Sequence, residues 1–260
     1  MSNKQTKKPS GKKILSAEAW SILSEFAPPE PDGKPLKKEN ISKGENGRPF
    51  FLNKSPGNSQ AKENSPIDFN MDFNISHSEN MVAVSFVQNK NEKTVLRTGC
   101  DIQLIKPRAN ADGIAEDYFT QAERDYIFQD GKTQAGEVRF FHIWSLKECF
   151  IKLKGLSVFN MAEVPSFIHP DASSRHKAAG SNKTSDCFCF CTKTPSPITF
   201  YLYELFDLSE SYVFVTAIET HSIEGSIEKP FNIQPQICWF SHPSLTIKKI
   251  AEINSSAFTS

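Results

Sequence analysis

Glycine is scarce in this chain, at 12 of 260 residues, so long glycine-rich linkers are excluded. No apolar run approaches the roughly 20 residues that a membrane-spanning helix needs. Neither charge is in excess: 30 Lys and Arg balance 30 Asp and Glu, and a general nucleic-acid binder would show a basic surplus. The start, "MSNKQTKKPSGKK", is basic but has no apolar stretch behind it, so it does not read as a secretory signal. Residues 1–14 are expected to form a disordered basic tail. Zinc-type cysteine spacing is also missing. "DCFCFC" alternates Cys187, Cys189 and Cys191 with Phe188 and Phe190, a half-buried strand pattern, whereas zinc ligands usually stand two or more residues apart. The six cysteines are therefore expected as reduced thiols in a cytoplasmic protein.

What is abundant is phenylalanine, at 21 residues, which points to a well-packed core of helices and strands. "AEAWSILSEFA" (Ala17 to Ala27) reads as an amphipathic helix ended by prolines. "NGRPFFLN" is an extended piece after a turn, and residues 54–68 read as a loop. "FNISHSENMVAVSFV" gives a strand, a tight connection holding His77, and a second strand. "TVLRTGCDIQLI" is a third. "AEDYFTQAERDYIFQD" and "GEVRFFHIWSLKECFIKLKG" are helical, with Gly155 placed to cap the latter. A strand is expected near Val158 to Phe167, then a polar insertion at 170–185 and three β-runs, "CFCFCTK", "ITFYLYELF" and "SYVFVTAIET". The fold class is α+β, a tandem of two similar halves that each pack a helix on a small antiparallel sheet. The expected division is 15–104, 105–220 and an extension of unknown role at 221–260.

The long helix poses the chemical question. From Phe140 to Leu153 it is apolar around most of its circumference, yet Lys147 projects from the apolar arc and Glu148 sits among aromatics. Unpaired charges there would cost roughly several kcal/mol each. In "GCDIQ" the strand period puts Asp101 and Gln103 on one face and Cys100 and Ile102 on the other, while Gly99 permits close approach of a ligand or another segment. A lone Asp near a strand end is usually solvated or capping. Set beside Glu148, it becomes half of a carboxylate pair that calls for a cation, and a hard oxygen-preferring ion such as Mg²⁺ suits it. Lys147 and Lys152 would then offer charge to a phosphate. Ser76, His77 and Ser78 make a plausible phosphate grip or merely a polar turn. Thr120 and Glu123 fit a capping box, which gives Glu123 a structural purpose.

Together, "FNISHS", "GCDIQ", "FTQAE" and "FFHIWSLKECFIKLKG" resemble the 4′-phosphopantetheinyl transferases of the monomeric Sfp type. That family's pattern is an I-S-H-S turn, a G-x-D strand, an F-[S/T]-x-x-E helix start and a W-S-x-K-E-x-x-x-K-x-x-G helix. "NGRP" is similar to the family's turn upstream of the histidine. The resemblance spans roughly residues 17–220. It implies transfer of the phosphopantetheine arm of coenzyme A to a serine of an acyl or peptidyl carrier protein, giving adenosine 3′,5′-bisphosphate. It further implies a pseudo-dimer with coenzyme A and Mg²⁺ in the cleft between halves.

Carried over by position, Asp101, Glu148 and Gln103 would hold Mg²⁺. Lys147 and Lys152 would contact phosphate oxygens, with Lys152 also near the attacking hydroxyl. His77, helped by Ser76, would hold the 3′-phosphate, and Arg48 would add charge on the nucleotide side. Glu148 would serve as general base through a metal-bound water, and Glu123 would be a metal neighbour or base relay unless its capping role prevails. Carriers present an acidic helix, so a basic or apolar docking surface is expected near the long helix. Two features depart from the family: Gln103 stands where Glu is common, which predicts metal affinity more dependent on substrate phosphates, and the segment before "AEAW" is short. Lysines 4, 7, 8, 12 and 13, or Lys37 and Lys38, are the candidates to replace its charge. The alternatives are a non-catalytic member of the same fold that binds coenzyme A or carrier protein, and an enzyme using another nucleotide-linked donor.

Overall fold

A computed structural model of the protein describes residues 11–26, 37–51, 71–79, 81–88, 94–168, 187–191, 198–207, 210–222, 236–241 and 246–250. The loop expected at 54–68 and the insertion at 170–185 lie outside these. Helix α1 (Gly11–Phe26) begins earlier than the apolar pattern suggested, so the last residues of the expected disordered tail are helical. A 3₁₀ turn (Lys38–Asn40) leads into a small hairpin of β1 (Ile41–Lys43) and β2 (Pro49–Phe51). Strands β3 (Met71–Ser78) and β4 (Met81–Gln88) pair antiparallel. "ISHS" is thus the end of a strand, not a turn. The reversal itself is at Glu79, whose φ of 50° is left-handed.

After β5 (Thr94–Leu104), the expected continuous helix is broken in two, α2 (Ala111–Tyr118) and α3 (Gln121–Phe128). Thr120 stops it, because its extended backbone and its side-chain bond to the Glu123 amide start a new helix there. Helix α4 (Gln134–Lys154) is capped by Gly155 in the left-handed conformation, φ 65°. The strand expected next is instead a 3₁₀ segment (Val158–Glu163). Ser157 and Asn160 close a reciprocal cap around its first turn, which fixes helical rather than extended geometry. β6 (Cys187–Cys191), β7 (Ile198–Asp207), β8 (Glu210–Ser222), β9 (Gln236–Ser241) and β10 (Thr246–Ile250) complete the order. Among the described residues no helix is long and apolar enough to cross a membrane.

The strands form two four-stranded antiparallel sheets, ordered β10-β9-β4-β3 and β5-β8-β7-β6. β5 lies before the expected division at 104, yet it pairs along its length with β8. The stretch after 221 returns to the first sheet, where β9 pairs with β4. Strand alternation then decides what each face meets. Phe73, Val82, Val84 and Phe86 pack under Ala19, Ile22 and Leu23 of α1. On the second sheet Phe200, Leu202, Val213, Val215 and Ala217 pack under Phe141, Leu146, Cys149 and Leu153 of α4. Two helix-on-sheet halves result, each with its own apolar cluster.

The halves meet at their edge strands, and the junction is unusual in kind. Asp72, Asn74, Ser76 and Ser78 of β3 reach β5 with side chains. Asp72 Oδ2 accepts from the Thr98 amide at 2.8 Å, Ser76 Oγ from Ile102 at 3.2 Å and Ser78 Oγ from Leu104 at 2.9 Å, while Cys100 Sγ lies 3.8 Å from Asn74 Oδ1. A constant offset of 26 residues means the two strands run in the same direction. These side chains satisfy β5 amides that would otherwise be unpaired at a sheet edge. Deeper in the seam, Ser85 bonds to Thr98 and, at 2.8 Å, to Thr216.

Gly99 fixes how closely α4 approaches β5. A Cβ there would lie 2.5 Å from the Cys149 carbonyl oxygen and 2.7 Å from Leu153 Cβ. The close approach expected of this glycine is therefore made by the helix. Gly99→Ala is expected to lower stability by roughly 1–3 kcal/mol through overpacking, read as a lower urea midpoint at unchanged slope. Helix displacement would also reduce activity, because Asp101 and Lys152 sit on either side of this contact.

Candidate active site

Asp101 follows Gly99 on the α4-facing side of β5 and is 1% exposed. Its Oδ1 accepts from Lys152 Nζ at 2.6 Å and from Ser76 Oγ at 3.0 Å, and Lys152 Nζ also reaches Ser76 Oγ at 2.8 Å. Gln103, two residues along the same face, donates its amide to Oδ2 at 2.9 Å. The α4 pair Glu148 and Lys152, one helical turn apart, brings a second carboxylate to the cluster. Burial, then the charge of Asp101, push the Glu148 carboxyl above its usual range, against the pull of Lys152 and Arg108. For Lys152, burial acts to lower the ammonium pKa, but Asp101 leads the opposing interactions and the net shift is upward. An edge strand from each half and the helix packed on the second sheet thus converge on Asp101.

The residues present fit a hard divalent cation in donor chemistry: two carboxylates and an amide oxygen, with no competing thiol or imidazole among them. Burial and mutual repulsion of Asp101 and Glu148 are both relieved by positive charge. Among the described residues no cluster of three His, Cys, Asp or Glu side chains that could hold a metal occurs, and the third position beside Asp101 and Glu148 is Gln103.

Lys147 departs from its expected role. It is 1% exposed and its Nζ is 3.1 Å from Glu123 Oε2, itself fully buried, with the Phe119 ring 5.7 Å away. Burial lowers its pKa while Glu123 holds it up. A phosphate cannot reach an ammonium enclosed in this way, so Lys147 braces α4 against the start of α3. Glu123 keeps the capping role read from its spacing: Oε2 accepts from the Thr120 amide at 2.8 Å, and Oε1 from the Phe167 amide at 2.6 Å. With Lys147 also on Oε2, both oxygens are engaged inside the fold, which supports the capping role over metal binding or proton relay.

Arg48 is likewise internal to the fold. It pairs with Asp72 and donates to the carbonyls of Thr98 and Lys152, each at 3.1 Å. It ties the α4 C-terminus to β3 and β5 rather than projecting toward a nucleotide. Ser76 and His77, adjacent in sequence, face opposite sides of β3. Ser76 belongs to the Asp101 cluster, and His77 lines a cavity of about 630 Å³ with Trp20, Ile41, Ile75, Lys38 and Lys43. Trp20 and Lys43 were not among the expected site residues; the alternation of β3 alone would have separated His77 from Ser76. Arg108 was also missed. Its guanidinium lies 5.6 Å over the Trp144 ring and its charge reaches Glu148.

With this geometry in place, comparison with known proteins is informative. Residues 97–214 match the family described as the 4′-phosphopantetheinyl transferase superfamily, a stretch from the Asp101 strand through α4 to β8. The chain is 28% identical over 189 residues to the 4′-phosphopantetheinyl transferase AcpT of Escherichia coli (strain K12), covering 70% of this chain and 78% of that relative. It is 41% identical over 87 residues to the 4′-phosphopantetheinyl transferase psf-1 of Bacillus pumilus, about a third of each chain. Over 127 residues it is 31% identical to the transferase gsp of Aneurinibacillus migulanus, 48% of this chain and 42% of that one. Residues 97–214 thus match the 4′-phosphopantetheinyl transferase superfamily, and the relatives that the chain resembles are enzymes of that class.

Proposed function

We propose that this protein transfers the 4′-phosphopantetheine arm of coenzyme A to a serine of an acyl or peptidyl carrier protein, releasing adenosine 3′,5′-bisphosphate. The observation that carries the reading is the convergence of Asp101, Glu148 and Lys152 at the seam between halves. Asp101 and Glu148, with the Gln103 carbonyl oxygen, would hold Mg²⁺. Bound there, the ion supplies charge neutralisation for the diphosphate. The enzyme acts as a monomer in the cytoplasm.

The new bond joins the carrier serine oxygen to the β-phosphorus of coenzyme A, and the bond from that phosphorus to the bridging oxygen breaks. That oxygen departs on the 5′-phosphate of the bisphosphate. Lys152, on its flexible stem, stabilises charge on the phosphate oxygens. Glu148, half-buried beside Asp101, would take up the serine proton through an intervening water. His77, with Lys38 and Lys43, would hold the 3′-phosphate on the other side of β3. Little covalent work falls to the protein, and alignment supplies most of the rate.

The expected carrier docking surface has a candidate at the first half of α4, linked to Glu148 through the charge of Arg108. Lys106, Arg108 and Lys132 line a cavity of about 260 Å³ with Asp112, Glu137, Phe128, Phe140 and Phe141, and Lys132 and Lys106 are already paired with Asp112 and Glu79. Its apolar lining and the Arg108 guanidinium would suit an amphipathic helix with an acidic side chain.

Intact-protein mass spectrometry tests the reading: an apo carrier is incubated with the enzyme, coenzyme A and Mg²⁺. One added phosphopantetheine arm is expected, absent with Glu148→Ala or with chelator. No gain on carriers from fatty-acid, polyketide and peptide synthesis would sink the transferase reading in favour of a non-catalytic binder.

A further inference from the structure

The oxygens a divalent ion would need on Asp101 already have donors. Oδ1 holds the Lys152 ammonium at 2.6 Å together with the Ser76 hydroxyl, and Oδ2 holds the Gln103 amide nitrogen. The amide nitrogen, not the carbonyl oxygen, faces the carboxylate. Of these partners only Lys152 carries charge, and its side chain is 29% exposed whereas Asp101 is 1% exposed. It is also the one with a long flexible stem, able to leave without disturbing β5 or α4. A Glu in place of Gln103 would have left a surplus negative charge for a metal. With Gln there, a single lysine already balances Asp101.

We propose that Lys152 is the resident counter-cation of Asp101, and that a divalent ion binds only by displacing it, with the diphosphate of the donor receiving the displaced ammonium. The inference rests on the reading of Asp101 and Glu148 as the metal site. Its consequence is thermodynamic coupling between two ligands. Metal alone must strip Lys152 from its partner with nothing offered in return, so it binds weakly. Donor alone draws Lys152 away and leaves Asp101 facing Glu148 uncompensated. Together, the metal takes the carboxylates and the ammonium takes the phosphate, and each ligand tightens the other by the same factor. Gln103 completes the exchange by turning its amide over, a rotation that needs no backbone movement.

The test measures Mn²⁺ binding by electron paramagnetic resonance, with no turnover involved. In the unaltered protein, saturating coenzyme A should tighten Mn²⁺ on the order of ten-fold or more, within the usual span of coupling between sites. Lys152→Met should bind Mn²⁺ without coenzyme A on the order of ten-fold tighter than the unaltered protein, with the coupling reduced toward one. Equal or weaker Mn²⁺ binding by Lys152→Met, with Asp101→Ala still abolishing it, would overturn the exchange and leave the metal site standing. Mn²⁺ binding indifferent to Asp101→Ala would instead remove the metal site itself. As a check free of substitutions, the Lys152 side-chain ¹³Cε resonance should shift when Mg²⁺ and coenzyme A are added together; a resonance that stays in place refutes the displacement.

Discussion

Asp101→Ala is expected to lower carrier modification by on the order of 10³-fold or more, the scale lost when preorganised charge is removed from a reacting centre. Three effects coincide at this residue. It contributes one of the two carboxylates for the metal, it holds Lys152 at 2.6 Å, and it orients Ser76 at 3.0 Å. The fold should survive the change. Lys152 is partly exposed and turns to Glu148 or solvent, and the loss of stability is expected near the ordinary value of about 1 kcal/mol for a point substitution. Asp101→Asn separates the contributions, since it keeps the shape and a hydrogen-bond acceptor but removes the charge. Single-turnover kinetics on the two variants, beside their urea midpoints, makes the distinction. A variant that lost activity only in proportion to its unfolding would place Asp101 outside the reaction.

The largest effect on stability is expected from Glu123→Ala, about 3–5 kcal/mol, the usual cost of breaking a buried ion pair from one side. The residue is fully buried and serves three partners at once: the Thr120 amide, the Phe167 amide and the Lys147 ammonium. Its removal orphans two backbone donors and leaves an ammonium enclosed by apolar side chains. Lys147 then loses the one neighbour that opposes its desolvation, and its pKa falls further. Replacing both, Glu123→Leu with Lys147→Met, should recover part of the loss, because the charge no longer needs a partner. Chemical denaturation of the two single variants and the double variant checks this. A double variant no more stable than Glu123→Ala would mean the backbone contacts of Glu123, not the ion pair, dominate.

Local chemistry made much of this protein legible before any coordinates. The α4 helix with its Gly155 cap, the Thr120 capping box and the two-faced β5 strand each follow from patterns a few residues long. Helix geometry also showed that Lys147 needed a partner. It did not show which, because Glu123 already had a sufficient purpose as a cap, and nothing local reveals that one carboxylate does both. Arg48 was misplaced for a related reason: three acceptors scattered over β3, β5 and α4 have no common signature in sequence. Ser76 and His77 were read as one turn, although strand alternation would have sent them to opposite faces. The swap of β5 into the second sheet, and the return of β9 to the first, depend on pairings more than a hundred residues apart, and periodicity is silent about those.

The side-chain junction between β3 and β5 also bears on how this protein behaves in a crowded solution. A free edge strand offers a row of unpaired amides to any passing segment, and chains that leave one open tend to self-associate. Here Asp72, Ser76 and Ser78 cover that row from within the same molecule, without fusing the two sheets into one long ladder. The polar character of β3, which near the end of the strand serves the active site, therefore also guards against aggregation. Apolar substitution at Asp72 and Ser78 would expose β5 to a neighbouring copy even where Asp101 and Lys152 were untouched.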